Sequence, residues 1–181
     1  MPKILDEQLV NDYLAGDEKS LEILIKRYLK PIYSFVYKRI NNFQEAEDIT
    51  QEVFVRMWRN IKRFDRKKSF RAWIFTIAKN TTIDFIRKYK IASTKKVDNT
   101  FLEKLASSFN LLEFFEKKET INKLSLVLEK LSDDCRTILS LHYNEYLTFR
   151  EIAEILKHPL NTVKSRHRRV LIQLKKLLSQ N

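Results

Sequence analysis

"LTFREIAEILKHPLNTVKSRHRRVLIQLKKLL", residues 147–178, decides how the chain folds. Thr148 stands three residues ahead of Glu151, the T-x-x-E spacing in which hydroxyl and carboxylate satisfy each other's backbone N–H groups. A helix is therefore expected from about Phe149. Ile152, Ile155 and Leu156 supply its buried face, and the small Ala153 lets a second helix cross closely. The pattern fails at Lys157-His158-Pro159, and Pro159 suits the first turn of a new helix, where no N–H is needed. Beyond it Leu160, Val163, Val170, Leu174 and Leu177 recur at helical spacing. A short helix, a tight turn and a second helix form a helix-turn-helix.

The outward side of that second helix carries Asn161, Thr162, Lys164, Ser165, Arg168 and Arg169, and residues 160–170 contain no acid. Amides and hydroxyls lie in its first turns, where a recognition helix reaches base edges in the major groove. Arg166 and the later cations suit phosphate oxygens, which fix register without reading sequence. His167 sits at the rim of the apolar stripe and reads as a packing residue. A basic helix face is more often simply solvated; the capped helix and short turn ahead of this one are what favour DNA.

Composition agrees with an all-α fold. Among 181 residues there is one glycine, Gly16, and three prolines, too few turn formers for a β architecture, while helical periodicities are long. Lys and Arg number 35 against 23 Asp and Glu, and a net charge of +12 draws polyanions over long range. Anionic membrane is the competing polyanion, but no run approaches the roughly 18 apolar residues a span needs. The opening "MPKILDEQLVNDYLAGDEK" is acidic and lacks a signal peptide's apolar segment, so a cytoplasmic location is expected. Cys135 is the only cysteine, which rules out an internal disulfide and suits a small core residue. His142, His158 and His167 make no metal-ligand spacing with it, and neither metal, cofactor nor enzymatic chemistry is expected.

Between Leu5 and Tyr89 amphipathic helices are joined by breaks at Gly16-Asp17, at 41–43 and at the charged loop 65–69. In "EAEDITQEVFVRMWRNI", residues 45–61, Ala46, Ile49, Val53, Phe54, Met57 and Ile61 form a buried face. The outward stripe is Asp48, Gln51, Glu52, Val55 and Arg59. Its acids would repel phosphate, so contact with another protein explains the stripe better than DNA does. In residues 62–90 cations alternate with aromatics, and Phe70, Ile74, Ile77, Ala78, Thr81 and Phe85 make the core face of a helix. Thr76, Asn80, Ile83 and Arg87 line a neighbouring strip flanked by Trp73 and Lys79. Cations tracking a backbone beside rings that hold unstacked bases are the ingredients of single-strand binding.

After Lys90 comes a polar stretch and then "FLEKLASSFNLLEFFEKKE". Phe101, Leu105, Phe109, Leu112 and Phe115 are too apolar for an ordinary tether and are expected to pack on something. Helical pattern resumes at Ile121, giving a domain at 1–92, a partly apolar linker at 93–120 and a second domain at 121–181.

Three segments, "EAEDITQEVFVRMWRNIKRF", "SFRAWIFTIAKNTTIDFIRK" and "LEKLSDDCRTILSLHYNEYLTFREIAEIL…LNTVKSR", resemble in order and spacing the sigma-70-type bacterial transcription initiation factors of the extracytoplasmic-function (ECF) subgroup. A helix-turn-helix alone is unspecific; the three ordered blocks are not. The resemblance implies that residues 48–61 dock on the clamp coiled coil of the RNA polymerase largest subunit, Asp48, Gln51 and Glu52 matching the D-x-x-Q-E motif. It implies that the loop from Phe64 through Arg66, Lys67 and Lys68 to Ser69, with Trp73, Thr76, Lys79, Asn80 and Arg87, captures flipped-out bases of the −10 element. It implies that the carboxy-terminal helix reads the −35 element, with Lys164, Ser165 and Arg168 facing bases. An anti-sigma protein covering the acidic stripe or the −10 surface is the regulator it implies, and a nucleoid location within holoenzyme follows. The chain departs from the family at Lys157, where a glycine is usual, at Asn161, where many relatives have glycine, and in its apolar linker. A stand-alone repressor or activator using the helix-turn-helix, and a peripheral interaction protein, remain the alternative readings.

Overall fold

Most of the described helix starts are closed by side chains, and α2 and α6 end at residues other than glycine. A computed structural model describes residues 4–89, 128 and 131–178. Its helices are α1 (Asp6–Leu14), α2 (Glu18–Ile40), α3 (Phe43–Asn60), α4 (Phe70–Tyr89), α5 (Asp133–Leu139), α6 (Phe149–Leu156) and α7 (Leu160–Leu178), with no strand among the described residues. A 3-10 turn, Ile61–Arg63, extends α3, and a π turn, Ser140–Asn144, extends α5. The chain divides into two compact units, Met1–Thr94 and Lys95–Asn181. The expected linker, its apolar residues 101–115 and the restart at Ile121 lie outside the described residues. Among those described, no helix is long and apolar enough to cross a membrane.

In the first unit Gly16, at φ 109, lets α1 end, and Asp17 accepts a hydrogen bond from Lys19 N at 3.1 Å to start α2. α2 runs on through Pro31. It turns at Asn41, which takes the left-handed conformation at φ 53, and Asn42 then caps α3 through Glu45 N at 3.2 Å. Asparagine tolerates positive φ better than most residues, so this break needs no glycine. The core is built from Leu24, Ile32, Phe35, Val53, Met57 and Phe75, all fully buried. Phe35 and Phe75 meet edge to face at 5.5 Å. Burying each such side chain is worth about 1.5–3 kcal/mol. The surface pair Lys26–Glu22, 73% and 60% exposed, is worth well under about 1 kcal/mol, so packing sets the arrangement.

The sequence places Ile77 and Phe85 of α4 in the core, but both are half-exposed, whereas Ala72, Phe75 and Thr82 are buried. α4 packs against both α2 and α3, so its buried sector is wider than a single-partner stripe and rotated from the expected one. Phe54 of α3 is likewise only half-buried. Thr81 and Thr82 enter the core because their hydroxyls donate to the Ile77 and Ala78 carbonyls, at 2.9 and 2.8 Å, leaving no orphaned donor.

In the second unit the expected capping box forms: Glu151 N donates to Thr148 Oγ1 at 3.3 Å and Thr148 N to the Glu151 carboxylate at 2.9 Å. Lys157 ends α6 at φ 54, with His158 N reaching back to the Ala153 carbonyl at 3.0 Å, a Schellman turn made without glycine. Pro159 precedes α7, and its carbonyl accepts from Thr162 N at 2.9 Å. Ile152, Ile155, Val163, Val170 and Leu174 are buried, as their spacing implies; the side chain of Leu177 lies outside the described ones. Cys135 is half-buried at the start of α5 rather than in the core. His167 packs inward. Its Nε2 lies 3.0 Å from the Tyr143 hydroxyl, and its ring meets Phe149 at 4.9 Å and His142 at 5.3 Å. His142 stacks on Phe149 at 4.5 Å. Burial, and then the neighbouring His142, push the His167 imidazole down to about 4, so it is neutral at pH 7.

Two outcomes follow from these local environments. Left-handed backbone costs a β-carbon-bearing residue about 1–2 kcal/mol, part of which glycine gives back as unfolded-state entropy. Lys157→Gly should therefore raise the stability of the second unit by up to about 1 kcal/mol in urea unfolding. His167 has a folded value below its unfolded one, so the stability it confers is complete above the ordinary histidine value of 6.5 and drains as pH falls towards about 4. Ring-proton NMR should show one of the three histidines titrating near that lower value, and His167→Leu should flatten the unfolding-versus-pH curve across that window.

Candidate protein and nucleic-acid interfaces

The acidic stripe lies on the solvent side of α3. Asp48, Gln51, Val55 and Arg59 are exposed and Glu52 is half-exposed. Ala46, Ile49, Val53 and Met57 hold the opposite side in the core, which leaves these residues no inward choice. Glu52 is partly engaged: Arg56 Nε donates to it at 2.7 Å, and Arg56 Nη1 reaches Asp84 of α4 at 3.3 Å. The sequence reading missed Trp58, 55% exposed, with its indole N–H donating to the Tyr13 hydroxyl at 2.9 Å. Its position seven after Gln51 and three after Val55 was the available sign.

The charged loop before α4 is more ordered than its composition suggests. Phe64, expected to meet bases, is only 6% exposed, its ring 5.5 Å from Phe70 and 5.1 Å from Trp73. It roots the loop in the core and is withdrawn from the outward set. Asp65 accepts from Lys67 N at 3.0 Å, and its carbonyl accepts from Lys68 N at 2.9 Å, closing a turn that leaves the Lys67 and Lys68 side chains exposed. Ser69 serves as a cap, its Oγ accepting from Ala72 N at 3.2 Å.

Helix α1, to which the sequence assigns no role, fastens this loop from outside. Glu7 accepts from Phe70 N at 3.1 Å, and Asn11 accepts from Arg66 Nη1 at 2.8 Å. α1 is itself held to α2 by Asp6, which accepts from Arg27 and from the Tyr28 hydroxyl. Along α4, Asn80 and Arg87 are exposed, while Trp73, Thr76, Lys79 and Ile83 are half-exposed. The Thr76 hydroxyl donates to the Ala72 carbonyl at 2.8 Å, so it faces its own helix. The outward set is therefore Lys67, Lys68, Asn80 and Arg87, with the exposed parts of Trp73 and Lys79.

On α7, Asn161, Lys164, Ser165, Arg168 and Arg169 are exposed and Thr162 half-exposed. The Ser165 hydroxyl donates to the Thr162 carbonyl at 3.0 Å, and Arg169 Nε approaches the Ser165 carbonyl at 3.4 Å. Arg166 departs from expectation. Its guanidinium donates to Asp134 Oδ2 at the start of α5, with the side chain only 29% exposed. His158 Nε2 meets the same oxygen at 2.9 Å. Asp134 was not singled out in the sequence, because no spacing rule links it to a residue 32 positions away.

Comparison with known proteins places the chain in a family. Residues 24–91 match the family described as Sigma-70 region 2, and residues 127–176 the one described as Sigma-70, region 4. The chain is 34% identical to "ECF RNA polymerase sigma factor SigW" of Bacillus subtilis (strain 168), over 97% of this chain and 98% of that protein. Among solved structures, CnrH in complex with the cytosolic domain of CnrY is similar in fold at a TM-score of 0.68. There the identity is 20%, covering 97% of this chain and 98% of that one. The sigma factor RpoE bound to the anti-sigma factor NepR, from Bartonella quintana, gives a TM-score of 0.62 at 19% identity, covering 90% of this chain and 99% of that one. The chain belongs to the sigma-70 family of RNA polymerase sigma factors, within its ECF group.

Proposed function

We propose that this sigma factor binds core RNA polymerase through the α3 stripe, reads a −35 duplex element with α7 and captures single-stranded −10 bases with the loop before α4. Residues 1–92 form the region two domain, 93–120 the linker and 121–181 the region four domain. The observation that carries the reading is the separation of charge: Asp48 and Glu52 stand outward on α3, whereas Lys67, Lys68, Arg87, Lys164, Arg168 and Arg169 stand outward on the nucleic-acid faces. An acidic helix face repels phosphate and suits a basic protein partner, and the basic faces do the reverse.

The chain does no bond chemistry; it supplies the choice of start site. Asn161, Thr162, Lys164, Ser165 and Arg168 lie where a recognition helix meets base edges, and Arg169 suits a phosphate. Melting at −10 costs a few kcal/mol per flipped base. Stacking on rings such as Trp73 returns about 1–3 kcal/mol per base, so only matching promoters open. The protein works in the cytoplasm, on the nucleoid when in holoenzyme. RpoE of Bartonella quintana was solved with an anti-sigma factor. By analogy an anti-sigma protein silences this chain by covering the acidic stripe or the −10 surface.

Replacing Asp48, Gln51 and Glu52 together with Lys should abolish copurification with core polymerase and run-off transcription while circular dichroism stays helical. Undiminished transcription would instead remove the α3 stripe from the polymerase contact. Mapping transcript starts on a genomic library with reconstituted holoenzyme identifies the promoters. On those, a Lys164, Ser165 and Arg168 triple Ala variant should lose at least about tenfold in preference for the intact −35 element, since one good base contact is worth about 1–3 kcal/mol. Full retention of that preference would remove α7 from the reading role.

A further inference from the structure

We infer that Asp134 is the positioning residue of the −35 reader: it clamps the turn and the recognition helix to α5 and, in doing so, withholds Arg166 from DNA phosphate. This rests on the reading of α7 as the −35 helix.

One carboxylate oxygen, Asp134 Oδ2, accepts from two groups that come from different parts of the motif. His158 Nε2, 2.9 Å away, belongs to the turn one residue beyond the left-handed Lys157. The Arg166 guanidinium belongs to the second turn of α7. The joint between α6 and α7, and the direction in which α7 leaves it, are thus tied to a third helix by one side chain. Apolar burial, of Ile152 on α6 and Val163 on α7 among others, is non-directional and tolerates rotation. A shared charged acceptor with fixed geometry does not.

Arg166 lies on α7 between the base-facing strip of Lys164, Ser165 and Arg168 and the packed stripe of Val163, His167 and Val170. A cation there is within the reach of a phosphate flanking the groove. A phosphate contact adds affinity to every sequence alike. Tying the guanidinium to Asp134 keeps that undiscriminating attraction down and turns the cation into part of the scaffold. Burial by itself would raise the Asp134 carboxyl. The hydrogen bonds from His158 and Arg166 outweigh that and hold it below the usual carboxylate range, so the clamp is charged at neutral pH.

The test uses holoenzyme reconstituted from the full chain and core polymerase. Its probe is a mapped promoter fragment and the same fragment with a scrambled −35 element, bound over a range of salt concentrations. Asp134→Ala should steepen the log–log salt dependence by about one phosphate, roughly 0.9 in slope. It should also lower the preference for the intact element by about tenfold, the worth of one base contact. Adding Arg166→Gln to that variant should return the slope to the parental value, and Asp134→Asn, which keeps the shape without the charge, should show the same steepening. Unchanged slope and preference in a variant that folds by circular dichroism would overturn the inference. An equal fall on both fragments at constant slope would do so too, because that is what mere destabilisation produces. Should the parental holoenzyme fail to distinguish the two fragments, it is the −35 assignment that falls, which separates the two failures.

Discussion

A side-chain oxygen aimed at the free N–H groups of a helix start is the contact on which both units depend. The first N–H groups of any helix have no partner within it. A chain with a single glycine cannot rely on loose turns to hide them. Asp17, Asn42, Ser132 and Thr148 each close the helix that follows them, at a typical worth of about 1 kcal/mol. At α4 the task is shared: Ser69 takes Ala72 N, and Glu7, from another helix, takes Phe70 N. The caps therefore fix where α2, α3, α5 and α6 begin, and so which side chains face outward at their first turns.

Those outward faces are sorted by charge, and the sorting has to survive on a chain of net +12. The acids that stay outward on α3 are few, and one of them, Glu52, is already shared with Arg56. Elsewhere carboxylates are turned to internal use. Asp6 holds Arg27, Glu7 closes α4 and Asp134 gathers His158 and Arg166. Carboxylates used in this way hold Arg27, the start of α4 and Arg166 in place, while α7 itself carries no acid.

What the sequence disclosed was what is local. The T-x-x-E cap, the break at Lys157 and the stripe on α3 each follow from spacings of a few residues, and each is present in the structure. The errors arise where distant segments meet. A helical wheel assumes one packing partner, and α4 has more than one, which is why Phe75 and Thr82 are buried while Phe85 is not. Phe64 sits in a charged loop and looks available to bases, yet Phe70 and Trp73 claim its ring. The hold of Asp134 on Arg166 spans 32 residues and obeys no periodicity. Side-chain pairings of that range are set by the packed fold and leave no trace in a local pattern.

The fastening of the pre-α4 loop by α1 bears on how promoter preference could be moved between relatives. Phe70 takes its backbone partner from Glu7, 63 positions upstream, and Arg66 takes Asn11, 55 positions upstream. α1 precedes residue 24, where the region two match begins. A chimera that swaps only the loop and α4 would transplant the letters but leave behind the brace that shapes them. On the −10 role proposed for this loop, donor specificity would travel intact only when the first helix is exchanged along with it.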